Sequence, residues 1–266
     1  MVVSSRAMDL PSFATRVHYL GHATLLIELD GLRILTDPVL GDRVFHLRRC
    51  GPSGWAWYAA QPDPDLILLS HLHFDHLHLP SLQVLPTTVP MVIPRGAAVW
   101  LRRLVPQPLI ELAPGERLHW GRVAIVATPA RHGHRWGRWL GPMDLAQGYR
   151  IEGSRSIYFP GDTDLFPEMS VIGAEGLDLA LLPVGGWGPT LGPGHLDPWR
   201  AAQALRLLQP RLAIPIHWAT FRPLGKWWEN MPYFSQPGPE FQRLAAVWAP
   251  HTVVHLLAPG ESFHGF

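Results

Sequence analysis

Three histidines and one aspartate lie within six residues of the 266-residue chain, at His71, His73, Asp75 and His76. A helix would spread these side chains around its circumference, but a turn after a strand lets them converge on one or two ions. Imidazole and carboxylate suit zinc, manganese or iron, and zinc is the usual metal of hydrolysis. The apolar run 66–69 before the cluster predicts a buried strand, which a surface histidine tract would not need.

Four candidate ligands are too few for two ions, so we expect further ligands at the ends of other strands. His132, Asp162 and His217 each follow an apolar run that predicts a strand. Asp162 lies in a Gly-Asp-Thr turn, where the glycine permits close approach and the carboxylate can bridge two ions. Two metals about 3.5–4 Å apart can hold a bridging hydroxide as the nucleophile. The pattern therefore predicts a binuclear hydrolase that needs no nucleophilic serine or cysteine.

The composition is that of a folded protein with a small-molecule substrate. Hydrophobic residues make up 47% of the chain and charged residues 16%, which is ample material for a core. Lys plus Arg number 22 against 21 Asp plus Glu, so no nucleic-acid partner is expected. The single cysteine, Cys50, excludes an internal disulfide and thiolate metal sites. Without a secretion signal or an apolar run of about 18 residues, we expect a cytoplasmic protein with no transmembrane helix.

One domain over residues 1–266 is the simplest organisation, because glycines and prolines are scattered and form no linker. Asp30-Gly31 between two apolar runs predicts a hairpin. Residues 38–64, rich in Gly, Trp and Arg, are predicted to form a long loop. Asp197 fits the N-cap of a helix over residues 198–208. The other predicted strands are 16–20, 24–29, 32–35, 91–93, 117–119, 123–128, 156–159, 179–182, 212–215 and 252–256, and the other predicted helices are 96–104 and 239–248.

In their order along the chain, the candidate ligands resemble the signature of the metallo-β-lactamase superfamily. The resemblance runs from about Val17 to about Phe221. It implies an α/β fold of four layers, an αββα sandwich in which two sheets pack between outer helices. It also implies metal ions at one edge of the sandwich.

The resemblance further implies how the ligands are shared between two divalent ions. One ion would be held by His71, His73 and His132. The other would be held by Asp75, His76 and His217. Asp162 would bridge them, and zinc is expected, with manganese and iron as alternatives. The candidate catalytic residues are Asp75, Asp162 and His195.

Four flanking motifs look like the N-acyl-phosphatidylethanolamine phospholipase D branch, which also resembles the bacterial ascorbate-phosphate lactonase group. They are Tyr-Leu-Gly-His-Ala-Thr at 19–24, Leu-Thr-Asp-Pro at 35–38, His-Leu-Asp-Pro at 195–198 and Pro-Ile-His-Trp-Ala-Thr-Phe at 215–221. In the phospholipase, the histidine that matches His195 lies by the substrate phosphate. His195 is therefore either a proton donor to the substrate or a residue that orders its loop. His22 and Asp37 either orient ligands or have structural roles at strand ends.

Two departures from the branch bear on the substrate. Residues 185–192 are rich in glycine and lack the aromatic and basic run of the phospholipase, and no amphipathic membrane-binding helix is evident. Both features argue against a lipid substrate. Redox members of the superfamily carry a glutamate where this chain has His73, which favours hydrolysis.

Tryptophans and arginines are concentrated in predicted loops near the metal motifs. The tryptophans at 55 and 57, at 136 and 139, and at 227 and 228 would either line a substrate pocket or fill the core, and core filling is favoured for most of them. Arginines of the same loops could meet an anionic substrate, although most loop arginines are solvated. They are Arg48, Arg49, Arg131 and Arg135.

The leading hypothesis is a metal-dependent hydrolase of a phosphodiester or another anionic small molecule. The alternative is a lactonase or other carboxylic-ester hydrolase on the same metals. Hydroxide attack is the same in both reactions, and the pocket decides which substrate is bound. A nuclease ranks lower because charge is balanced and no insertion of domain size is present. A non-catalytic metal-binding sensor also ranks lower, because all seven ligand positions are filled. The sequence leaves the substrate, the metal and the oligomeric state open.

Overall fold

The computed structural model describes residues 15–133, 145–186, 188, 192–225 and 231–265. Its strands form two seven-stranded sheets and one three-stranded sheet. The strands are β1 (Arg16–Gly21), β2 (Thr24–Leu29), β3 (Leu32–Thr36), β4 (Arg43–Val44), β5 (Leu47–Arg49), β6 (Leu66–Leu68), β7 (Met91–Pro94), β8 (Leu109–Leu112), β9 (Arg117–Trp120), β10 (Val123–Pro129), β11 (Gln147–Glu152), β12 (Ser156–Phe159), β13 (Leu179–Pro183), β14 (Leu212–Ile216), β15 (Phe221–Pro223), β16 (Val253–Val254) and β17 (Ser262–His264). The helices are α1 (Gly54–Ala59), α2 (Leu79–Val84), α3 (Ala98–Leu101), α4 (Met169–Ala174), α5 (Pro198–Leu208), α6 (Pro232–Ser235) and α7 (Pro237–Trp248).

The two large sheets pack face to face around one apolar core. The first has the order β17-β1-β2-β3-β6-β7-β8, and the second has the order β16-β14-β13-β12-β11-β10-β9. Buried residues of both sheets share this core, such as Ile27 of β2 with Ile151 of β11 and Ile214 of β14.

Helices cover the outer face of each large sheet. Ile172 of α4, Leu205 of α5 and Phe241 of α7 pack on the second sheet. Leu82 of α2 and Leu101 of α3 pack on the first sheet. The expected four αββα layers are therefore confirmed.

Strand β13 shows how the sequence forms a central strand. All five of its residues are buried, and it pairs in parallel with β12 and β14. Leu179 and Leu181 face the core between the sheets, whereas Ala180 and Leu182 face the helices. A continuous apolar run is expected here, because side chains alternate between two covered faces.

The prediction of one long loop over residues 38–64 is wrong, because this segment contains β4, β5 and α1. The three-stranded sheet has the order β15-β5-β4, so its third strand comes from residues 221–223, far along the chain. Strands of two or three residues are too short to show a period in the sequence. The predicted helix at 96–104 is also shorter and spans Ala98–Leu101.

Strands β8, β11 and β17 are additional to the prediction. Strand β11 carries Arg150, a charged residue that is unusual in a buried strand. Its guanidinium donates to the carbonyl oxygens of Ile172 and Gly176, both at 3.0 Å. Glu152 and Glu175 each form an ion pair with this guanidinium at 3.2 Å, so carboxylates and main-chain carbonyls together compensate a charge that would not be expected in a buried strand. The strand predicted at 252–256 is limited to Val253–Val254.

Several predicted loop residues fall outside the described ranges: Arg135, Trp136, Trp139, Trp227 and Trp228. In the part of the chain that the structure describes, no helix is both long and apolar enough to cross a membrane. The expectation of one domain over residues 1–266 stays a prediction.

Candidate metal centre

The predicted ligands lie just beyond the ends of four strands. His71 follows β6, His132 follows β10, Asp162 follows β12 and His217 follows β14. Among the seven predicted ligands only His73 is half-buried, and the other six are buried. Turns at the ends of neighbouring strands meet at the same edge of a sheet. The structure accordingly brings all seven together.

The first group of candidate ligands contains His71, His73 and His132, whose ligand atoms lie within 4.8 Å of one another. His132 Nε2 and His73 Nδ1 are 2.9 Å apart. His71 Nε2 is buried and has no hydrogen-bond partner among the described residues. A buried nitrogen without a partner costs roughly 1–3 kcal/mol, so this group favours a bound cation.

The second group contains His22, Asp75, His76 and His217, all buried and all with ligand atoms within 4.8 Å of one another. His76 Nε2 and His217 Nε2 are 3.2 Å apart. His22 Nε2 lies 3.1 Å from Asp75 Oδ2, and its ring contacts the ring of His217 at a tilt of 33° with centroids 3.7 Å apart. The second group therefore includes one imidazole, His22, beyond the predicted ligands.

Asp162 lies between the two groups. Its Oδ2 atom is 3.3 Å from His76 Nε2, and its Oδ1 atom is 3.2 Å from His217 Nε2. Asp162 also shares a group of close ligand atoms with His132 and His195. His195 Nε2 lies 3.5 Å from Asp162 Oδ2. One carboxylate thus touches residues of both groups and the candidate proton donor.

Main-chain carbonyls fix the orientation of two imidazoles. His132 Nδ1 donates to the carbonyl oxygen of Gly194 at 2.8 Å, and His217 Nδ1 donates to that of Gly185 at 2.7 Å. A carbonyl only accepts, so the proton of each neutral ring is on Nδ1. Nε2 is then the nitrogen that faces the centre, as metal-binding histidines require.

Asp37 orients two further imidazoles, those of His76 and His71. Its carboxylate accepts from the Ser70 N–H at 2.7 Å, from the Ser70 hydroxyl at 2.6 Å and from His76 Nδ1 at 2.7 Å. Because the Ser70 proton goes to Asp37, the Ser70 oxygen accepts from His71 Nδ1 at 2.9 Å. Asp37 therefore holds His76 directly and His71 through a serine.

Burial sets the protonation of most imidazoles in the centre. It lowers the pKa of His71, His132 and His217, and it lowers the pKa of His73 to about 4. These side chains are neutral near physiological pH. Neutral imidazole is the form that binds a metal ion.

The carboxylates of the centre remain ionised although they are buried. Burial alone would raise the pKa of Asp75 and Asp162, but a hydrogen bond from His22 holds the pKa of Asp75 well below its usual range, and the imidazoles of His217 and His76, of which His76 is the protonated one, do the same for Asp162. Burial opposes the charging of His76, yet Asp162 outweighs it and raises the pKa of His76 well above its usual value. Buried carboxylates need a positive charge nearby, and a divalent cation can replace the protons.

Four non-glycine residues around the centre have left-handed backbone conformations. The φ angles are 57° at His22, 64° at His217, 55° at Ala219 and 32° at Asp37. Such conformations cost about 1–3 kcal/mol and are concentrated at functional sites. A hydrogen bond of 2.7 Å from the His217 N–H to the His22 carbonyl holds two of these residues together.

A cavity of about 310 Å³ opens beside the centre. Its lining includes His195, Arg200 and Tyr233 together with Gly185 and Gly186. Arg200 Nη1 lies 3.3 Å from an oxygen of Asp164. The cavity therefore offers an imidazole and a guanidinium to a substrate that reaches the metal ligands.

The other aromatic and basic candidates lie elsewhere. Trp57 is buried in the core beneath the first sheet, and Trp55 is partly exposed, so neither belongs to the described lining of this cavity. Arg49 is buried and donates to main-chain carbonyls, and Arg48 is exposed. Arg131 pairs with a surface glutamate at 3.4 Å.

Sequence reasoning missed three groups that orient the imidazoles. The carbonyls of Gly185 and Gly194 are main-chain atoms, so no residue type marks their role. Ser70 has one sequence signal, its position directly before His71.

The comparison with known families agrees with this geometry. Residues 32–218 match the family described as a beta-lactamase superfamily domain. This match covers all seven predicted ligands and most of the chain.

The chain belongs to the metallo-β-lactamase superfamily.

Two of the similar proteins are described as metal-dependent or metallo hydrolases, and a third as a phospholipase D. One from Opitutus terrae is 36% identical over 213 residues, which cover 76% of this chain and 84% of the relative. The N-acyl-phosphatidylethanolamine-hydrolyzing phospholipase D 1 of Caenorhabditis elegans is 30% identical over 254 residues, which cover 87% of this chain and 69% of that protein. A metallo hydrolase from Ignicoccus hospitalis has the same fold, with a TM-score of 0.74, 23% identity, and coverage of 96% of this chain and 99% of that one.

Proposed function

We propose that this metal-dependent hydrolase binds two divalent ions and hydrolyses a phosphodiester or another anionic ester. The observation that carries the proposal is the position of Asp162. Its two carboxylate oxygens lie 3.3 Å from His76 and 3.2 Å from His217, and it also groups with His132. A carboxylate that reaches both ligand groups is suited to bridge two ions.

The donor atoms fit two ions in number and in chemistry. The first ion would be held by His71, His73 and His132. The second would be held by Asp75, His76 and His217, with Asp162 shared. Imidazole nitrogens with carboxylate oxygens suit zinc, which is the proposed metal. When bound, such ions supply Lewis acidity and lower the pKa of water from 15.7 to about 7.

His195 is the proposed proton donor to the leaving group. Its ring lines the 310 Å³ cavity, and its Nε2 lies 3.5 Å from Asp162 Oδ2. A proton held at Nε2 can pass to a departing oxygen, while Asp162 stabilises the charged ring before the transfer. Asp162 and Asp75 would contribute to catalysis as ligands of the metal ions.

The proposed substrate class rests on the cavity and on one relative. Arg200 in the lining can bind an anionic oxygen with its guanidinium. The name of the related phospholipase D from Caenorhabditis elegans denotes hydrolysis of a phosphodiester, which supports the same bond here.

The test is a substrate panel with zinc-loaded protein: bis-p-nitrophenyl phosphate, several lactones and a neutral carboxylic ester. We expect turnover of the phosphodiester, its loss on chelation and its recovery when zinc is returned. Turnover of lactones alone would support the lactonase alternative. A protein that holds two zinc ions per chain and hydrolyses neither class would contradict the proposal.

A pair of matched variants tests the bridging residue. Asp162→Asn should lose bound zinc and should also lose turnover. The control Asp63→Asn changes an exposed aspartate and should leave zinc content and turnover unchanged. Full turnover by Asp162→Asn would exclude the two-ion arrangement.

A further inference from the structure

Three arginines form a row across the small sheet of β4, β5 and β15. Arg43 of β4 is the cross-strand partner of Arg48 in β5, and Arg48 is in turn the partner of Arg222 in β15. Directly paired residues project from the same face of a sheet. We call this face the arginine face, defined by Arg43, Arg48 and Arg222.

The opposite face of the small sheet is buried and mostly apolar, with Arg49 as its one charged residue among the paired positions. Val44, Leu47 and Phe221 pack there in a small core. The ring of Phe221 contacts the imidazole of His22, with centroids 5.2 Å apart. The buried face therefore lies against the metal centre, and the arginine face points away from it.

A row of paired arginines lowers the stability of the small sheet when no anion is bound. Like charges directly opposite each other on neighbouring strands repel, which destabilises the pairing. Arg43 and Arg48 are exposed, and neither guanidinium has a hydrogen bond or ion pair with a residue that the structure describes. Within the described ranges, no acidic group contacts the guanidinium of Arg43 or that of Arg48, so the charge of this pair is not neutralised by the protein. A bound anion would remove the repulsion.

A cavity of about 430 Å³ adjoins the row at β4. Its lining is Asp42, Arg43, Arg48, Arg49, Gly51 and Ser53. Three arginines face a single acid there, and the Asp42 carboxylate already accepts from the Ser53 hydroxyl at 3.0 Å and from the Gly54 N–H at 3.2 Å. The positive charge of this cavity exceeds its negative charge.

Arg49 adds a second, independent observation. Its side chain is 2% exposed, and its Nη1 atom is buried without a hydrogen-bond partner among the described residues. Its Nε donates to the carbonyl oxygen of Gly41 at 3.3 Å, and its Nη2 donates to that of Val39. The Asp42 carboxylate lies 4.0 Å from Nε of this guanidinium and partly offsets its charge, but the unused donor remains, and Asp42 is the single acid against three arginines in the cavity lining.

We propose that the arginine face and its cavity form a binding site for a phosphate group, separate from the metal centre. The planar guanidinium forks of Arg43 and Arg48 match the oxygens of a phosphate through paired hydrogen bonds. The phosphate could belong to a soluble monoester or to a lipid headgroup. Phe45, in the turn between β4 and β5, is 78% exposed, so a membrane source would also meet an apolar side chain.

The test measures phosphate binding to the zinc-loaded chain from both sources. Inorganic phosphate and glycerol 3-phosphate are titrated by calorimetry, and vesicles of phosphatidylcholine with and without phosphatidic acid are cosedimented. Arg48→Gln and Arg43→Gln should each weaken binding about ten- to hundredfold, as loss of a charged hydrogen-bond pair does. Arg102→Gln, which changes an exposed arginine on another surface, should bind as the wild type does. Phosphate bound at the metal centre is common to all variants and does not affect the comparison.

The outcomes separate the sources and the proposal itself. Binding of the soluble phosphates alone, weakened by Arg48→Gln, identifies a soluble ligand, and binding of acidic vesicles that Phe45→Ser weakens identifies a lipid headgroup. Absence of binding in both arms, or equal loss in Arg48→Gln and Arg102→Gln, would overturn the proposal. The thermal midpoint of Arg48→Gln is measured as a control. We expect it not to fall, because the change removes repulsion between arginines, and weaker binding then cannot be ascribed to unfolding. Arg48→Lys keeps the charge but not the fork, and it should also bind more weakly.

Discussion

His22 lies outside the predicted ligand set, yet its position predicts control over one metal site. Its Nε2 donates to Asp75 Oδ2 at 3.1 Å, and its ring contacts the tilted ring of His217 with centroids 3.7 Å apart. Both partners belong to the same proposed ligand set, Asp75, His76 and His217. The perturbation is His22→Asn, since asparagine tolerates the left-handed φ of 57° at this position better than alanine does.

The magnitude follows from the bond that is lost. A hydrogen bond to a charged group contributes about 1.5–3 kcal/mol, and loss of a residue that orients a ligand lowers metal affinity about 10–100-fold. The two estimates agree, because 1.4 kcal/mol corresponds to about tenfold. The effect should fall on the set that contains Asp75 and spare the set that contains His71, whose imidazole is held by Ser70.

The assay is competition for zinc between the protein and a chromophoric chelator, fitted with two sites. In the wild type we expect two bound ions, and in His22→Asn we expect one site to weaken about 10–100-fold while the other keeps its affinity. His18→Asn is the matched control, because His18 lies in β1, the strand that ends directly before His22, and pairs with Glu28 and Ser262 away from the centre. Equal weakening of both sites, or of neither, would refute the reasoning.

Three further predictions concern the centre and the stability of the fold. Asp37→Asn should weaken both zinc sites in the same titration, because Asp37 accepts from His76 and, through Ser70, holds His71; an effect on one site alone would contradict this. Zinc in thousandfold excess over its dissociation constant should stabilise the fold by about 4 kcal/mol, so chelation should lower the thermal midpoint, and an unchanged midpoint would argue against metal binding. Asp65→Asn should lower the free energy of unfolding at neutral pH by at most about 1 kcal/mol, because the pair is partly exposed. Burial would raise the pKa of Asp65, but Arg33 outweighs burial and depresses it. The stabilisation is thus present above the unfolded pKa of about 3.9 and lost as the pH falls through the lower folded pKa, and urea titrations should show the difference shrink as the pH falls below about 3.9.

The positions of the candidate ligands were predictable because each follows an apolar run. Strand ends at one edge of a sheet place the next residue or two in a common space, so His71, Asp162 and His217 could be expected to meet. The same reasoning gave the helix at Pro198–Leu208, where the Asp197 side chain accepts from the Arg200 N–H as a helix cap. Local rules of this kind need no knowledge of distant residues.

The features that escaped prediction depend on contacts between segments far apart in the chain. β5 becomes a central strand only because β15 reaches it, and two or three residues carry no usable period. Gly185 and Gly194 act through carbonyl oxygens, which every residue has. Trp57 could equally have lined a pocket, and only packing in the core beneath the first sheet decides its role.

The two proposed ion sets differ in what holds their imidazoles, and this difference follows from the fold. In the first set, neutral acceptors hold the rings: the Gly194 carbonyl holds His132 and the Ser70 hydroxyl holds His71. In the second set, the Asp37 carboxylate holds His76 directly. A carboxylate behind an imidazole makes the ring more basic and a stronger metal ligand, and the second set also contains a carboxylate ligand of its own, Asp75. If both proposed ions bind, we therefore expect the ion in the second set to be held more tightly and the ion in the first set to keep more Lewis acidity for the substrate.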